Sequence, residues 1–152
     1  MIPSALEYTV FCLCQCHAIC HLAFIPSLLP GGVCVRQSLQ FDSGYCFLVG
    51  SSLNSTCSAA VGWVLQEGSG ISQGRSSGNV IACGTLPAFK LDAWHNISLA
   101  ASSDGRALTI IASIDGAVAV HQSETEPVKW QKGMVSLRSG YHYALFDDLA
   151  IV

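Results

Sequence analysis

The side chains richest in chemistry crowd near the start of the chain: Cys12, Cys14, Cys16, His17, Cys20 and His21. Thiolate and imidazole are the ligands zinc prefers. Zinc sites usually pair them as C-x2-4-C and place a second pair further along. That pairing is poorly met here, and Cys16, Cys20 and His21 miss the C-x-x-C-H haem spacing by one residue. The residue types suit a metal and the spacing does not, so no metal centre is expected in this segment.

Further along, His95, His121 and His142 have no partner at a catalytic spacing, and the chain holds no phosphate-binding loop. A retaining glycosidase needs two carboxylates about 5 Å apart. Glu124 and Glu126 lie in a polar stretch and are expected to face solvent. Trp63 and Trp94 are expected in the core. Trp130 follows Glu126-Pro127-Val128-Lys129 in a loop, so its ring is the candidate for an exposed surface that stacks on a sugar. Asn54-Ser55-Thr56 and Asn96-Ile97-Ser98 match the N-glycosylation sequon, the first in a loop and the second on the polar face of a strand. Cys34, Cys46, Cys57 and Cys83 allow up to two disulfides in three connectivities, and buried free cysteine is also ordinary. At most one disulfide is expected.

These residues must be held by a small fold. The 152 residues are 51% hydrophobic and 11% charged, with net charge −3. That composition supports a packed core over disorder. It also lacks the basic stripe of a nucleic-acid binder. Residues 1–34 carry one ionisable acid, Glu7, and no Lys or Arg. A signal peptide wants a basic start, and a membrane span wants about 20 apolar residues with few interruptions. Gln15, His17, His21 and Pro26 interrupt this one. Phe24-Ile25-Pro26-Ser27-Leu28-Leu29-Pro30 suits pyrimidine-rich codons like those before a splice acceptor. Residues 1–30 are therefore expected to be a signal-like leader or translated intron, outside a domain spanning 31–152.

From Gly31 onward the pattern is strand and turn. Val33 and Val35 alternate with Cys34 and Arg36, and Tyr45-Cys46-Phe47-Leu48-Val49 is rich in strand-forming types. Gly62-Trp63-Val64-Leu65-Gln66 and Val80-Ile81-Ala82-Cys83 follow. Ile97 and Leu99 alternate with Asn96 and Ser98. Asp115-Gly116 between two apolar runs predicts a type I′ hairpin, because both residues tolerate positive φ. Two last strands lie near 133–138 and 144–152. Seven or eight short strands without an amphipathic helix predict an all-β antiparallel sandwich or jelly roll.

Several of these segments resemble a known family. Pro30-Gly31-Gly32-Val33, Gly62-Trp63 and Leu91-Asp92-Ala93-Trp94-His95-Asn96-Ile97-Ser98-Leu99 resemble the laminin-G/concanavalin-like lectin fold. Ile114-Asp115-Gly116, Gly133-Met134-Val135-Ser136-Leu137-Arg138-Ser139-Gly140 and Ala144-Leu145-Phe146-Asp147-Asp148-Leu149 resemble the C-terminal lectin domain of galactocerebrosidase (galactosylceramidase). The resemblance implies a tail fragment, lacking its first strands, of a lysosomal or secreted glycoside hydrolase of galactosylceramide catabolism. The two catalytic glutamates of that family lie in a barrel that no part of this chain matches, so Glu67, Glu124 and Glu126 inherit no catalytic role. The implied partners are a galactolipid or glycan, the catalytic barrel of the parent chain and a saposin-type activator. The implied structural calcium would use Asp147, one of the six to eight oxygen donors the ion needs. The alternative is a free-standing secreted lectin-like module.

Overall fold

The computed structural model describes residues 9–12, 16–24, 31–37, 43–50, 57, 61–68, 71–72, 75–76, 78–90, 93–104, 106–124, 130, 132–139 and 144–151. These residues form strands β1 (Thr9–Cys12), β2 (Cys16–Phe24), β3 (Gly31–Gln37), β4 (Tyr45–Gly50), β5 (Gly62–Glu67), β6 (Ile71–Ser72) and β7 (Arg75–Ser76). The series continues with β8 (Asn79–Thr85), β9 (Trp94–Ser103), β10 (Leu108–Ile114), β11 (Ala117–Glu124), β12 (Gly133–Ser139) and β13 (Ala144–Ile151). A six-stranded sheet runs β1-β12-β3-β4-β5-β8 and a five-stranded sheet runs β11-β10-β9-β2-β13; β6 and β7 pair separately. All of these pairings are antiparallel. The expected sandwich is what the chain forms.

The two sheets read differently in sequence because they are buried differently. Along β9 exposure alternates, with Ile97, Leu99 and Ala101 buried and Trp94, Asn96 and Ser102 exposed. Such period-2 alternation marks a strand with one wet face. All six residues of β4 are buried. Val33, Val35, Tyr45, Phe47, Val49 and Leu65 join Ile97, Leu99, Leu108 and Ile110 between the sheets. Cys34, Cys46, Leu48, Cys57 and Val64 form a second buried cluster. A strand covered on both faces carries a continuous apolar run, as Tyr45-Cys46-Phe47-Leu48-Val49 does.

Two findings bear on the sequence reading. The segment 1–30, expected outside the domain, supplies β1 and β2. Strand β2 lies between β9 and β13, with Cys16 opposite Ala101, Ala23 opposite Trp94 and Phe24 opposite Ala144. Its apolar, uncharged composition suits an interior strand, which must hydrogen-bond on both edges and bury apolar surface. Second, two disulfides form where at most one is expected: Cys34–Cys46 and Cys57–Cys83. Cys34 and Cys46 are direct register partners on β3 and β4, so pairing needs no backbone movement. Cys34, Cys46 and Cys57 lie in the second apolar cluster, while Cys83 is exposed on β8.

Candidate functional site

Among the described residues, a cleft lies where the edge of one sheet meets the edge of the other. It encloses about 430 Å³ and is lined by Trp63 of β5, Thr85 of β8, the segment 86–89, His95 of β9 and residues 114, 115 and 117–119 of the β10–β11 hairpin. Its volume falls within the roughly 300–1,000 Å³ of small-molecule sites.

Each wall has a local cause. Trp63 is the register partner of Gly84 on β8. A Cβ built on Gly84 would stand 2.7 Å from three atoms of the Trp63 indole, so the ring lies directly across the glycine backbone. Phe47 supports Trp63 from the core at a ring-centroid distance of 5.7 Å. In the segment after β8, the Phe89 N–H donates to the Leu86 carbonyl at 3.2 Å. Pro87 occupies the second position of that turn, where its fixed φ is already correct. The Leu86 N–H donates to the Val61 carbonyl at 2.9 Å, tying the turn to the start of β5.

The opposite wall is the expected hairpin. Asp115 and Gly116 have φ of 52° and 79°, the left-handed values a type I′ turn needs. Nothing lies within 4 Å of a Cβ at Gly116, so its role is conformational. Asp115 also fastens the hairpin to β9. Its Oδ1 accepts from the Asn96 N–H at 2.9 Å, and its own N–H donates to the Asn96 carbonyl at 2.8 Å. Its Oδ2 lies 2.7 Å from His95 Nδ1, while His95 Nε2 lies 2.6 Å from the Lys90 carbonyl. Both imidazole nitrogens thus face acceptors, an arrangement filled completely only when both donate. Phe89 stacks on the His95 ring at 3.9 Å and 19°.

The electrostatics of the cleft follow from this clamp. Partial burial works against ionisation of Asp115. The hydrogen bond from His95, the Asn96 N–H and the charge on His95 outweigh it, so the carboxyl is held below its ordinary range. An ionised carboxylate has about four acceptor sites. Two are taken, and with the side chain 53% exposed the others face the cleft mouth and solvent.

Of the residues singled out in the sequence, Trp63 and His95 line this cleft, and Trp94, Asn96, Trp130 and Asp147 do not. Trp130 is half-buried: its indole N–H donates to Glu67 Oε1 at 3.0 Å, its carbonyl accepts from Arg36, and its ring packs on the core. It is not a free stacking surface. Trp94, expected in the core, is 52% exposed. It shares strand parity with Asn96 and Ser98, so the same alternation that sends Ile97 inward sends Trp94 outward. Asn96 is exposed on β9; Asn54 lies outside the described residues, as do the side chains of Cys12, Cys16, His17, Cys20 and His21. Asp147 is exposed, and its Oδ1 accepts from the Asp148 N–H at 2.9 Å. Among the described residues no three His, Cys, Asp or Glu side chains gather to hold a metal. Sequence reasoning passed over His95, Asp115 and Phe89. The signal available was Asp at a hairpin tip with His just inside the neighbouring strand.

No protein-family model matches the sequence, and neither does any curated protein. Solved structures do match in fold. The carbohydrate-binding module CBM66 from Bacillus subtilis superposes with a TM-score of 0.65 at 12% identity, over 94% of this chain and 81% of that one. Sheep galectin-11, in complex with glycerol, gives 0.56 at 12% identity over 100% of both chains. A single mutant of congerin II gives 0.57 at 12% identity over 96% of this chain and 99% of that one. The chain thus has the β-sandwich fold of galectins and carbohydrate-binding modules. Its two disulfides suit an oxidising compartment, extracellular or lumenal. Among the described residues no helix is long and apolar enough to cross a membrane.

Proposed function

We infer that this chain is a glycan-binding module and that the cleft at the sandwich edge holds a sugar ring. The observation that carries the reading is one half-open cleft lined by both a supported indole, Trp63, and an ionised acceptor, Asp115. Sugars present an apolar ring face and a rim of hydroxyl donors. An aromatic wall takes the first and a carboxylate the second. The structural likeness to proteins named as carbohydrate-binding supports the same reading. Titration calorimetry with neutral mono- and disaccharides tests it. Binding that Trp63→Phe weakens, with the melting curve preserved, supports the site; no binding to any sugar by the wild type removes it.

A second reading rests on the motifs in β12 and β13 that resemble galactosylceramidase. Under it the module is the tail of a glycoside hydrolase of the lysosome, acting on a galactolipid beside its own barrel and a saposin-type activator. Full-length transcript sequencing decides this, through the presence or lack of barrel-coding exons upstream. In either setting Asn96, exposed on β9 within its sequon, is the glycan acceptor that the described residues offer. Asn96→Gln should remove one glycosidase-sensitive mass shift from secreted protein.

A further inference from the structure

The chemistry of the cleft narrows the class of sugar. We propose that it takes uncharged or amine-bearing sugars and rejects acidic ones, because the charge it presents outward is the Asp115 carboxylate. The inference rests on the glycan-binding reading of the same cleft.

The polar groups of the cleft argue for this one by one. Asp115 is the acidic residue among the lining residues, and no Lys or Arg stands among them. Lys90 enters through its backbone carbonyl, which accepts from His95. His95 could in principle offset Asp115. It is only 8% exposed, however, and its two nitrogens are committed to Asp115 and Lys90, so it has no donor left for a ligand. Thr85 contributes a hydroxyl that can donate or accept. The remaining walls, among them Trp63, Phe89 and Val118, are apolar. The dominant polar feature facing a ligand is therefore an acceptor carrying negative charge.

Donor–acceptor matching then separates three kinds of sugar. A neutral hexose brings hydroxyl donors to the carboxylate. A hexosamine brings an ammonium, with three donors and the opposite charge. A hexuronate brings a second acceptor and the same charge, and His95, which could answer it, is already spent on Asp115 and the Lys90 carbonyl. Partial enclosure by apolar walls lowers the local dielectric and enlarges these differences over their values in water.

The carboxylate is also fixed in place. The Asn96 N–H and His95 hold both of its oxygens, and the type I′ turn fixes its backbone. An acidic sugar cannot relieve the repulsion by swinging Asp115 aside without breaking these bonds.

The test is calorimetry on the full chain with the methyl glycosides of a hexose, the matching 2-amino sugar and the matching hexuronate, at neutral pH. The amino sugar should bind at least as tightly as the hexose, and the uronate about tenfold more weakly or worse. Asp115→Asn should narrow the gap between hexose and uronate to within about threefold, because asparagine keeps the positive φ and still accepts from the Asn96 N–H. A measurement on the wild type alone serves if that variant folds poorly. Added salt should improve uronate binding relative to hexose, because screening removes the repulsion. Equal or tighter uronate binding by the wild type overturns the proposal, as does a gap unchanged in Asp115→Asn. Failure of all three sugars to bind overturns the glycan reading itself, a distinct result.

Discussion

Asp115 and His95 lie 20 positions apart in sequence and 2.7 Å apart in space, and their contact pins the tip of one hairpin to the start of a neighbouring strand. The same histidine holds the Lys90 carbonyl, so one ring joins the β10–β11 hairpin to the segment after β8. The cleft lies between these two pieces, and its shape depends on that ring.

The contact makes stability depend on acid. Asp115 is held below its ordinary carboxyl value of 3.8 in the fold. A carboxyl with a depressed folded pKa contributes stability that is complete above its unfolded value and is lost as pH falls through the folded one. The loss therefore lies below about pH 3.8. Asp104 behaves with the same sign, because the N–H groups of Ala107 and Arg106 bond its carboxylate, so the wild-type curve alone mixes the two. Urea unfolding of wild type and Asp115→Asn isolates the first. The wild type should be the more stable near neutral pH, and the difference should shrink as pH drops below the carboxyl range. A difference that does not vary with pH would remove the clamp from this account.

Removing the ring should cost more than removing the charge. His95→Leu leaves the Lys90 carbonyl and Asp115 Oδ2 without their donor. Both bonds are only part-buried, so each lost one costs about 0.5–1.5 kcal/mol and the two together about 1–3 kcal/mol. Chemical denaturation should show a loss in that range. Hydrogen exchange should show faster exchange in residues 86–90 than in β4, whose six residues are all buried.

Gly84 should behave as a residue of the cleft although it has no side chain. Gly84→Ala places a methyl against the Trp63 indole at 2.7 Å. The ring must tilt, because β5 and β8 are held together by their ladder. A shift in tryptophan emission and weaker sugar binding, with the far-ultraviolet circular dichroism unchanged, is the expected outcome. Unaltered sugar affinity would show that Trp63 is only a structural support.

Both disulfides should matter for folding. They close loops of sequence separation 12 and 26, and loop-closure entropy assigns each a stabilisation of about 3 kcal/mol. Mass mapping under non-reducing conditions should recover Cys34 with Cys46 and Cys57 with Cys83. Replacing either pair by alanine should lower the denaturation midpoint; a midpoint that stays put would show the bond to be unimportant for the fold.

Much of the architecture was legible because one-sided burial writes itself as alternation. β9 and β10 alternate, and the Asp115-Gly116 turn between β10 and β11 has the residues its φ values demand. The bulge in β3 was not legible. Val33 and Val35 suggest that Arg36 faces outward, yet the ladder shifts between Met134 and Ser136, and Arg36 takes φ 58°. Its guanidinium turns into the core and donates to the Ala101 and Trp130 carbonyls, linking the two sheets. An extra residue in a ladder leaves no local mark in composition. The cleft was illegible for a related reason. Trp63, Phe89, His95 and Asp115 come from four separate segments, and no motif spacing joins them.

The segment 1–30 offers the sharpest test of the fold itself. Its odd composition suggests a leader, whereas among the described residues its strand β2 is the one sheet partner of β13 and one of the two partners of β9. Deleting it leaves β13 unpaired and opens an edge of β9 across a buried apolar face. Unpaired interior strands lose their ladder bonds and expose core surface, which drives association. A chain of residues 31–152 should therefore aggregate or bind hydrophobic dyes, and it should lack a cooperative melting transition. Adding back a peptide of residues 9–24 should restore that transition if strand pairing is the cause. A soluble 31–152 chain that melts cooperatively at the full-length temperature would instead show that the first thirty residues lie outside the folded domain.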